Sequence, residues 1–389
     1  MMIKRKQYLD QIRPFIGKDI IKVIVGLRRS GKSVILEQLK EEIGSNNSIY
    51  LNFEDISNQP LCTASSLNSY ITSIIDKETE CYYLFFDEIQ EVKDWEKVIN
   101  SLRVSHNTDI YITGSNSKLL SGELATYIAG RYVSFTIYPF SYKEFLQTSN
   151  NLSFEDYIKQ GGMPFLSSIN YDFRFSKQYL QDVYHSVVLK DIVKRYKIRD
   201  VDLLERIIVY ALANIGHCFS ATSISKFLKS DRRKVAPETV LNYLRACEES
   251  YLLCRFKSYD LIEKKALSVS EKYYVSDHGL REAVIGSNLT NVEIILENIV
   301  ALELLRRGYD LQVGRIGDRE IDFVAGKEGK KIYVQVCYLL LEESTIDREF
   351  RSLLDIDDNY EKYVLYRHSS FQGDYKGILC QPIDEWLLS

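Results

Sequence analysis

Gly26-Leu27-Arg28-Arg29-Ser30-Gly31-Lys32-Ser33 follows the apolar run Ile20-Ile21-Lys22-Val23-Ile24-Val25 and precedes the helical pattern of Ile35, Leu36 and Leu39. Strand, glycine-bounded loop and helix in that order predict a phosphate-binding loop. The glycines let the backbone fold round the β- and γ-phosphates, so that successive N–H groups, through Val34, and the start of the helix face the anion. Lys32 would bring a point charge to the phosphates and Ser33 a hydroxyl to Mg²⁺. An ordinary glycine-rich turn is the plain alternative. The stretch implies a nucleoside triphosphate ligand and sets the expected fold class as α/β.

A second strand supplies acids. Cys81-Tyr82-Tyr83-Leu84-Phe85-Phe86 is a continuous apolar run suited to a parallel strand covered on both faces, and it ends in Asp87-Glu88. The C-terminal end of such a strand is where an open α/β sheet places its ligand crevice. Asp87 is expected to hold Mg²⁺, directly or through water, and Glu88 to polarise the attacking water; helix capping is the bland reading. Ser48 to Phe53 alternates like another strand, and Asp109-Ile110-Tyr111-Ile112-Thr113 runs into Gly114-Ser115-Asn116-Ser117. Ser115 and Asn116 suit reading the γ-phosphate or orienting the water, or simply a turn. Beyond a helical stretch from Lys118 to Ala129, Gly130-Arg131 leads into a last strand from Tyr132 to Ile137, closed by Tyr138-Pro139. An exposed Arg131 fits an arginine finger acting on a neighbour's nucleotide, hence a homo-oligomer, and equally a surface salt bridge.

Together these motifs resemble the AAA-type ATP-binding proteins of bacteria and archaea. The likeness rests on Gly-Leu-Arg-Arg-Ser-Gly-Lys-Ser, Phe-Phe-Asp-Glu-Ile-Gln-Glu with Trp95 downstream, Ile-Thr-Gly-Ser-Asn, Ala-Gly-Arg-Tyr and Gly161-Gly162-Met163-Pro164, and it covers nearly the whole chain. It implies a five-stranded parallel sheet, Mg·ATP as ligand, Lys32, Ser33, Asp87 and Glu88 in their usual roles, and a sensor at Ser115 or Asn116. It implies no particular substrate.

The chain has 389 residues, too many for one compact core, and predicts roughly two or three domains. Hydrophobic content of 45% and charged content of 27% suit a water-soluble fold, and no run is long and apolar enough to span a bilayer. Met1-Met2-Ile3-Lys4-Arg5-Lys6 leads into Gln7 and Asp10 rather than into a signal core, so a cytoplasmic protein without membrane partners is expected. Seven cysteines lack metal-ligand spacing and read as reduced structural thiols. A net charge of −4 makes any nucleic-acid surface a local one.

From Phe140 to about Ile215 apolar pairs recur at three-to-four spacing, read as a helical lid and connector over 140–215. Gly161-Gly162-Met163-Pro164 interrupts it as a nucleotide-sensing hinge or an inter-helix turn. Residues 216–280 read as a winged helix: a capped helix from Ser220, a second helix from Pro237, then wing strands Tyr251–Phe256 and Lys272–Ser276 around Glu263-Lys264-Lys265. Arg232, Arg233 and Lys234 suit phosphates, and Asn242 and Arg245 a groove; packing or protein contact is the alternative to DNA.

The C-terminal segment, 281–389, resembles the restriction-endonuclease-like core. A helix from Val292 to Arg307 with Glu297 and Glu303 precedes a strand with Asp322 and one with Gln335 and Cys337. Asp322 fits the first acid, but Gln335 and Cys337 stand where that core keeps an acid and a lysine. Gln carries no charge for the metal and Cys does not replace an ammonium, so a non-cutting domain that binds a partner or nucleic acid is expected. The sequence thus predicts a P-loop parallel-sheet domain (1–139), the helical lid, the winged helix and a small α/β restriction-endonuclease-like domain. The expected activity is that of an ATP-binding and ATP-hydrolysing switch or motor, with an ATP-gated nuclease and a regulator without turnover as alternatives.

Overall fold

The computed structural model describes residues 3–75, 80–116, 130–263, 265–286, 292–340, 343–369 and 373–389. They form two compact units, residues 1–139 with 249–251, and residues 140–248 with 252–389. The helical stretch expected from Lys118 to Ala129 lies outside the described residues.

The first unit is built on strands β1 (Ile21–Gly26), β2 (Ser48–Asn52), β3 (Tyr82–Asp87), β4 (Thr108–Gly114) and β5 (Tyr132–Ile137), all parallel, in the order β2-β3-β4-β1-β5. The near-continuous apolar runs arise because both faces are covered. On one face Val23, Val25, Leu84, Phe86, Ile110 and Ile112 pack against Leu67 and Ile71 of the helix Ala64–Ile74 and Trp95, Ile99 and Leu102 of the helix Trp95–Ser105. On the other, Ile24, Phe85, Tyr111 and Ile137 meet Leu9 of the helix Lys6–Ile12 and Ile35, Leu36 and Leu39 of the helix Lys32–Ile43. Each of these buried side chains contributes about 2 kcal/mol of apolar transfer. At the start of the sheet Lys22 pairs with Asp109, which also accepts from Gly17 N (2.7 Å) and the Tyr111 hydroxyl (2.9 Å). These bonds satisfy a buried charge far from the strands' C-terminal ends.

In the second unit, residues 140–215 are helical: Tyr142–Leu146, Phe154–Gln160, Phe173–Ser186, a π-helical continuation over Val187–Lys194, and Val201–Ala213. The Gly161-Gly162 break is a packing point. Phe140 N donates to Gly162 O at 2.7 Å and Gly162 N to Asp277 Oδ2 at 2.8 Å. A Cβ on Gly162 would lie 2.2 Å from Phe140 O, so only glycine admits this backbone crossing.

A mixed eight-stranded sheet follows, of β6 (Cys218–Phe219), β7 (Leu253–Asp260), β8 (Lys265–Val275), β9 (Asp310–Ile316), β10 (Arg319–Lys327), β11 (Lys330–Leu340), β12 (Glu361–Ser369) and β13 (Leu379–Pro382). Its order is β13-β12-β11-β10-β9-β7-β8-β6. Helices Ala221–Ser230, capped by Ser220, and Pro237–Glu249 precede β7 and β8; these two strands extend further than the alternation suggests. β7 pairs with β9 through Ser258–Val313, Tyr259–Gly314 and Asp260–Arg315, so one sheet runs across the expected boundary at 280/281. Among the described residues no helix is long and apolar enough to cross a membrane.

Candidate functional site

β1 and β3 deliver the two halves of the site to the same sheet edge. β1 ends at Gly26, where φ is +144° and a Cβ would lie 2.2 Å from Ile137 O on β5, so the glycine is required by close backbone approach. The loop then turns through Leu27, Arg28, Arg29 (φ +65°) and Ser30 to Gly31 (φ +99°), which starts the helix carrying Lys32, Ser33 and Val34. Arg28 pairs with Glu54 at 3.2 Å, and Arg29 is exposed. Behind the loop, fully buried Arg5 donates to Ser30 O (3.0 Å) and Tyr138 O (2.9 Å), a brace that nothing in the sequence singles out.

The Lys32 ammonium donates to Gly26 O (3.3 Å) and Leu27 O (3.2 Å) and lies 3.8 Å from Glu88 Oε1. Asp87 is fully buried at the end of β3, where Thr113 donates to its Oδ1 and Tyr50, on β2, to its Oδ2 at 3.1 Å. Burial first, then the Asp87 charge, raises the Tyr50 hydroxyl above its usual range, so it stays a donor. Glu88 adopts φ +53°, its N–H donates to Thr113 Oγ1 (2.9 Å), and Gln90 donates to its carboxylate. Ser115 and Asn116 are buried at the end of β4, and the Ser115 hydroxyl finds no partner among the described residues.

Lys32, Asp87, Glu88, Ser115 and Asn116 are thus placed along one edge of the sheet. Arg131 is not with them. Ile21 pairs with Tyr132 and Gly26 with Ile137, so Arg131 sits at the opposite end of the strands, roughly 20 Å away at about 3.3 Å per residue. Its guanidinium donates to Asn100 Oδ1 at 3.1 Å, an amide rather than the acid of a salt bridge. Thr113 and Tyr50 escape sequence reasoning because a hydroxyl inside an apolar strand carries no signal until the neighbouring strand is known.

The nucleotide group fits this edge. Positive-φ glycines bracket the loop, a helix N-terminus opens from it, an ammonium meets the Glu88 carboxylate, and the buried Ser115 hydroxyl has no partner among the described residues.

Comparison with known proteins agrees with the geometry. A family model described as an AAA domain matches residues 18–146, and one described as a domain of unknown function (DUF8612) matches 151–291. An uncharacterized protein of Haemophilus influenzae is 40% identical over 100% of this chain and 99% of its own length. An uncharacterized protein of Methanocaldococcus jannaschii is 33% identical over 94% of this chain and 87% of its own. The chain belongs to their family. Its first unit is an AAA-type P-loop domain. A Walker-type ATPase of Pyrococcus abyssi shares the fold at 13% identity, with a TM-score of 0.50, covering 73% of this chain and 96% of that one.

A second cluster lies in the second unit. Asp322 N–H donates to Gln335 Oε1 (3.3 Å), Val336 N to Asp322 Oδ2 (2.9 Å), and Gln335 Nε2 to Glu349 Oε2 (3.0 Å). Cys337 is buried in an apolar cluster with Tyr333 and Leu340. The cation that touches Asp322 is Lys272 on β8, at 3.3 Å, which the sequence marks only as part of a wing strand; Arg319 and Arg351 line the same cavity. Burial first, then the Glu297 charge, push the Asp322 carboxyl above its usual range, while Lys272 opposes them.

Of the cations expected to meet DNA, Arg232, Lys234 and Arg245 are exposed, as is Asn242. Arg233 instead pairs with Asp202 and, at 3.4 Å, with Asp200. Lys265 pairs with Glu263, and Lys264 lies outside the described residues.

Proposed function

We propose that this protein binds and hydrolyses Mg·ATP and uses the cycle as a switch or motor acting on a partner, or on DNA, held by its C-terminal half. The observation that carries the reading is the convergence of Lys32 and Glu88, 3.8 Å apart, beside a buried Asp87 held by two hydroxyls. Backbone N–H groups from Gly26 to Val34 and the Lys32 charge would hold the phosphates, and Ser33 and Asp87 the Mg²⁺. Glu88 would orient the attacking water, with Ser115 or Asn116 sensing the γ-phosphate. Arg131, remote from its own chain's nucleotide, would serve a neighbour's in a homo-oligomer.

Residues 216–280 are read as a winged helix and 281–389 as a restriction-endonuclease-like domain that holds rather than cuts. The helix-strand order around Asp322 supports this, while Gln335 and Cys337 argue against cleavage. An intact Glu88 favours turnover over a regulator that only binds ATP.

Nucleotide-binding and steady-state hydrolysis measurements test the central claim. Lys32→Ala should abolish ATP binding, whereas Glu88→Gln should keep it and lose turnover. Equal ATP affinity in wild type and Lys32→Ala would end the reading.

A further inference from the structure

The Lys272 ammonium is ringed by carboxylates from two other elements. It lies 2.7 Å from Glu297 Oε1 on the helix Val292–Arg306, 2.7 Å from Glu320 Oε1 and 3.3 Å from Asp322 Oδ1, both on β10. Its side chain is 2% exposed. The Tyr274 hydroxyl donates to the same Glu297 oxygen, and the second Asp322 oxygen is taken by Val336 N–H. These acids line a cavity of about 790 Å³ together with Gln335 and Glu349.

Glu297 and Asp322 are buried, while Glu320 is partly exposed and also pairs with Arg315 at 3.1 Å. Two buried carboxylates this close repel one another and are poorly solvated, so the arrangement demands a cation. A divalent ion with oxygen ligands is one solution. The chain supplies another. An ammonium is a compact charge with three N–H donors, and here it donates to Glu297 Oε1 and Asp322 Oδ1 while Glu320 Oε1 lies 2.7 Å away as an ion-pair partner. Among the described residues no group of three His, Cys, Asp or Glu side chains stands ready to hold a metal ion. The point where Glu297, Glu320 and Asp322 converge is filled by the lysine.

We propose that this is a cation site whose resident cation is Lys272 itself, standing where a divalent metal would otherwise bind, so that the cavity works without metal. The proposal deepens the reading of the C-terminal region as non-cutting and rests on it. It also gives β8 a charged anchor to β10 and to the helix Val292–Arg306.

Mn²⁺ binding to the full chain without nucleotide, followed by electron paramagnetic resonance, tests it in wild type, Asp322→Asn, Lys272→Gln and Lys272→Gln/Asp322→Asn. Wild type should show no Mn²⁺ that Asp322→Asn removes. Lys272→Gln should gain about one equivalent, as expected for a vacated hard-oxygen site, and the double variant should lose it. Should Lys272→Gln be unfolded without metal, refolding on Mn²⁺ addition supports the exchange and failure to refold overturns it. A folded Lys272→Gln that gains no Mn²⁺, or wild-type binding that depends on Asp322, also overturns it. Incubation of wild type with DNA and RNA in Mg²⁺ or Mn²⁺, with and without ATP, tests the non-cutting reading separately. Cleavage that disappears in Asp322→Ala would remove both, whereas Asp322-dependent Mn²⁺ binding without cleavage removes only the lysine's role.

Discussion

The Thr113 hydroxyl on β4 accepts the Glu88 backbone N–H at 2.9 Å, in a fully buried position just past the end of β3. Its own hydrogen goes to Asp87 Oδ1, so one hydroxyl fixes both acids of the site. Thr113→Val keeps the shape and removes both bonds. ATP hydrolysis should fall by roughly tenfold or more with ATP affinity little changed, because the acids are misplaced while the phosphate loop is untouched. Unchanged turnover in a steady-state assay of the folded variant would show that Thr113 is only a packing residue.

Arg131 stands at the far end of the sheet from its own chain's phosphate loop, so any catalytic part it plays must be on another chain. Arg131→Ala should then lower turnover by roughly a hundredfold or more while leaving nucleotide affinity nearly unchanged. Specific activity of the wild type should also rise with protein concentration. Flat activity across a wide dilution, with Arg131→Ala behaving as wild type, would remove the trans-acting role.

If the helices Ala221–Ser230 and Pro237–Glu249 present cations to DNA, exposed Arg232 and Lys234 should matter more than Arg233, which Asp200 and Asp202 already hold. Charge reversal at Arg232 and Lys234 should weaken DNA affinity and flatten its salt dependence by about one unit of slope for each phosphate no longer neutralised. Fluorescence anisotropy at several salt concentrations reads this out. Salt-insensitive or absent DNA binding by the wild type would assign the region to a protein partner.

His278 is fully buried, with Nε2 2.6 Å from Tyr157 O, and burial pushes its pKa down to about 4. In the unfolded chain it takes a proton near 6.5, so its contribution to stability is complete above that pH and is lost as pH falls towards about 4. The loss amounts to about 3 kcal/mol at 1.36 kcal/mol per unit. Neighbouring Asp277, raised by burial to about 7, acts in the opposite sense, its contribution declining as pH rises from about 4 to about 7. The His278 share is therefore read as a difference. Denaturant-midpoint profiles of wild type and His278→Gln should diverge in slope between about pH 4 and 6.5, and parallel profiles would refute the assignment.

The parallel sheet, and the placing of Lys32, Asp87 and Glu88 along one of its edges, were legible in the sequence because local pattern dictates them. Gly26 to Ser33 after an apolar run, and Asp87-Glu88 after another, each carry strand, turn and chemistry within a few consecutive residues. The tertiary structure alone decided which distant side chains complete these pieces. Thr113 and Tyr50 meet Asp87, Arg5 braces Ser30, and Lys272 enters a ring of acids up to 50 residues away. It also joined β7 to β9, setting strands from both sides of residue 280 in one sheet. The physical reason is that a strand's propensity and apolar period are written along the chain, whereas a buried hydrogen bond or ion pair depends on which strand lies alongside, and that is set by packing of the whole unit.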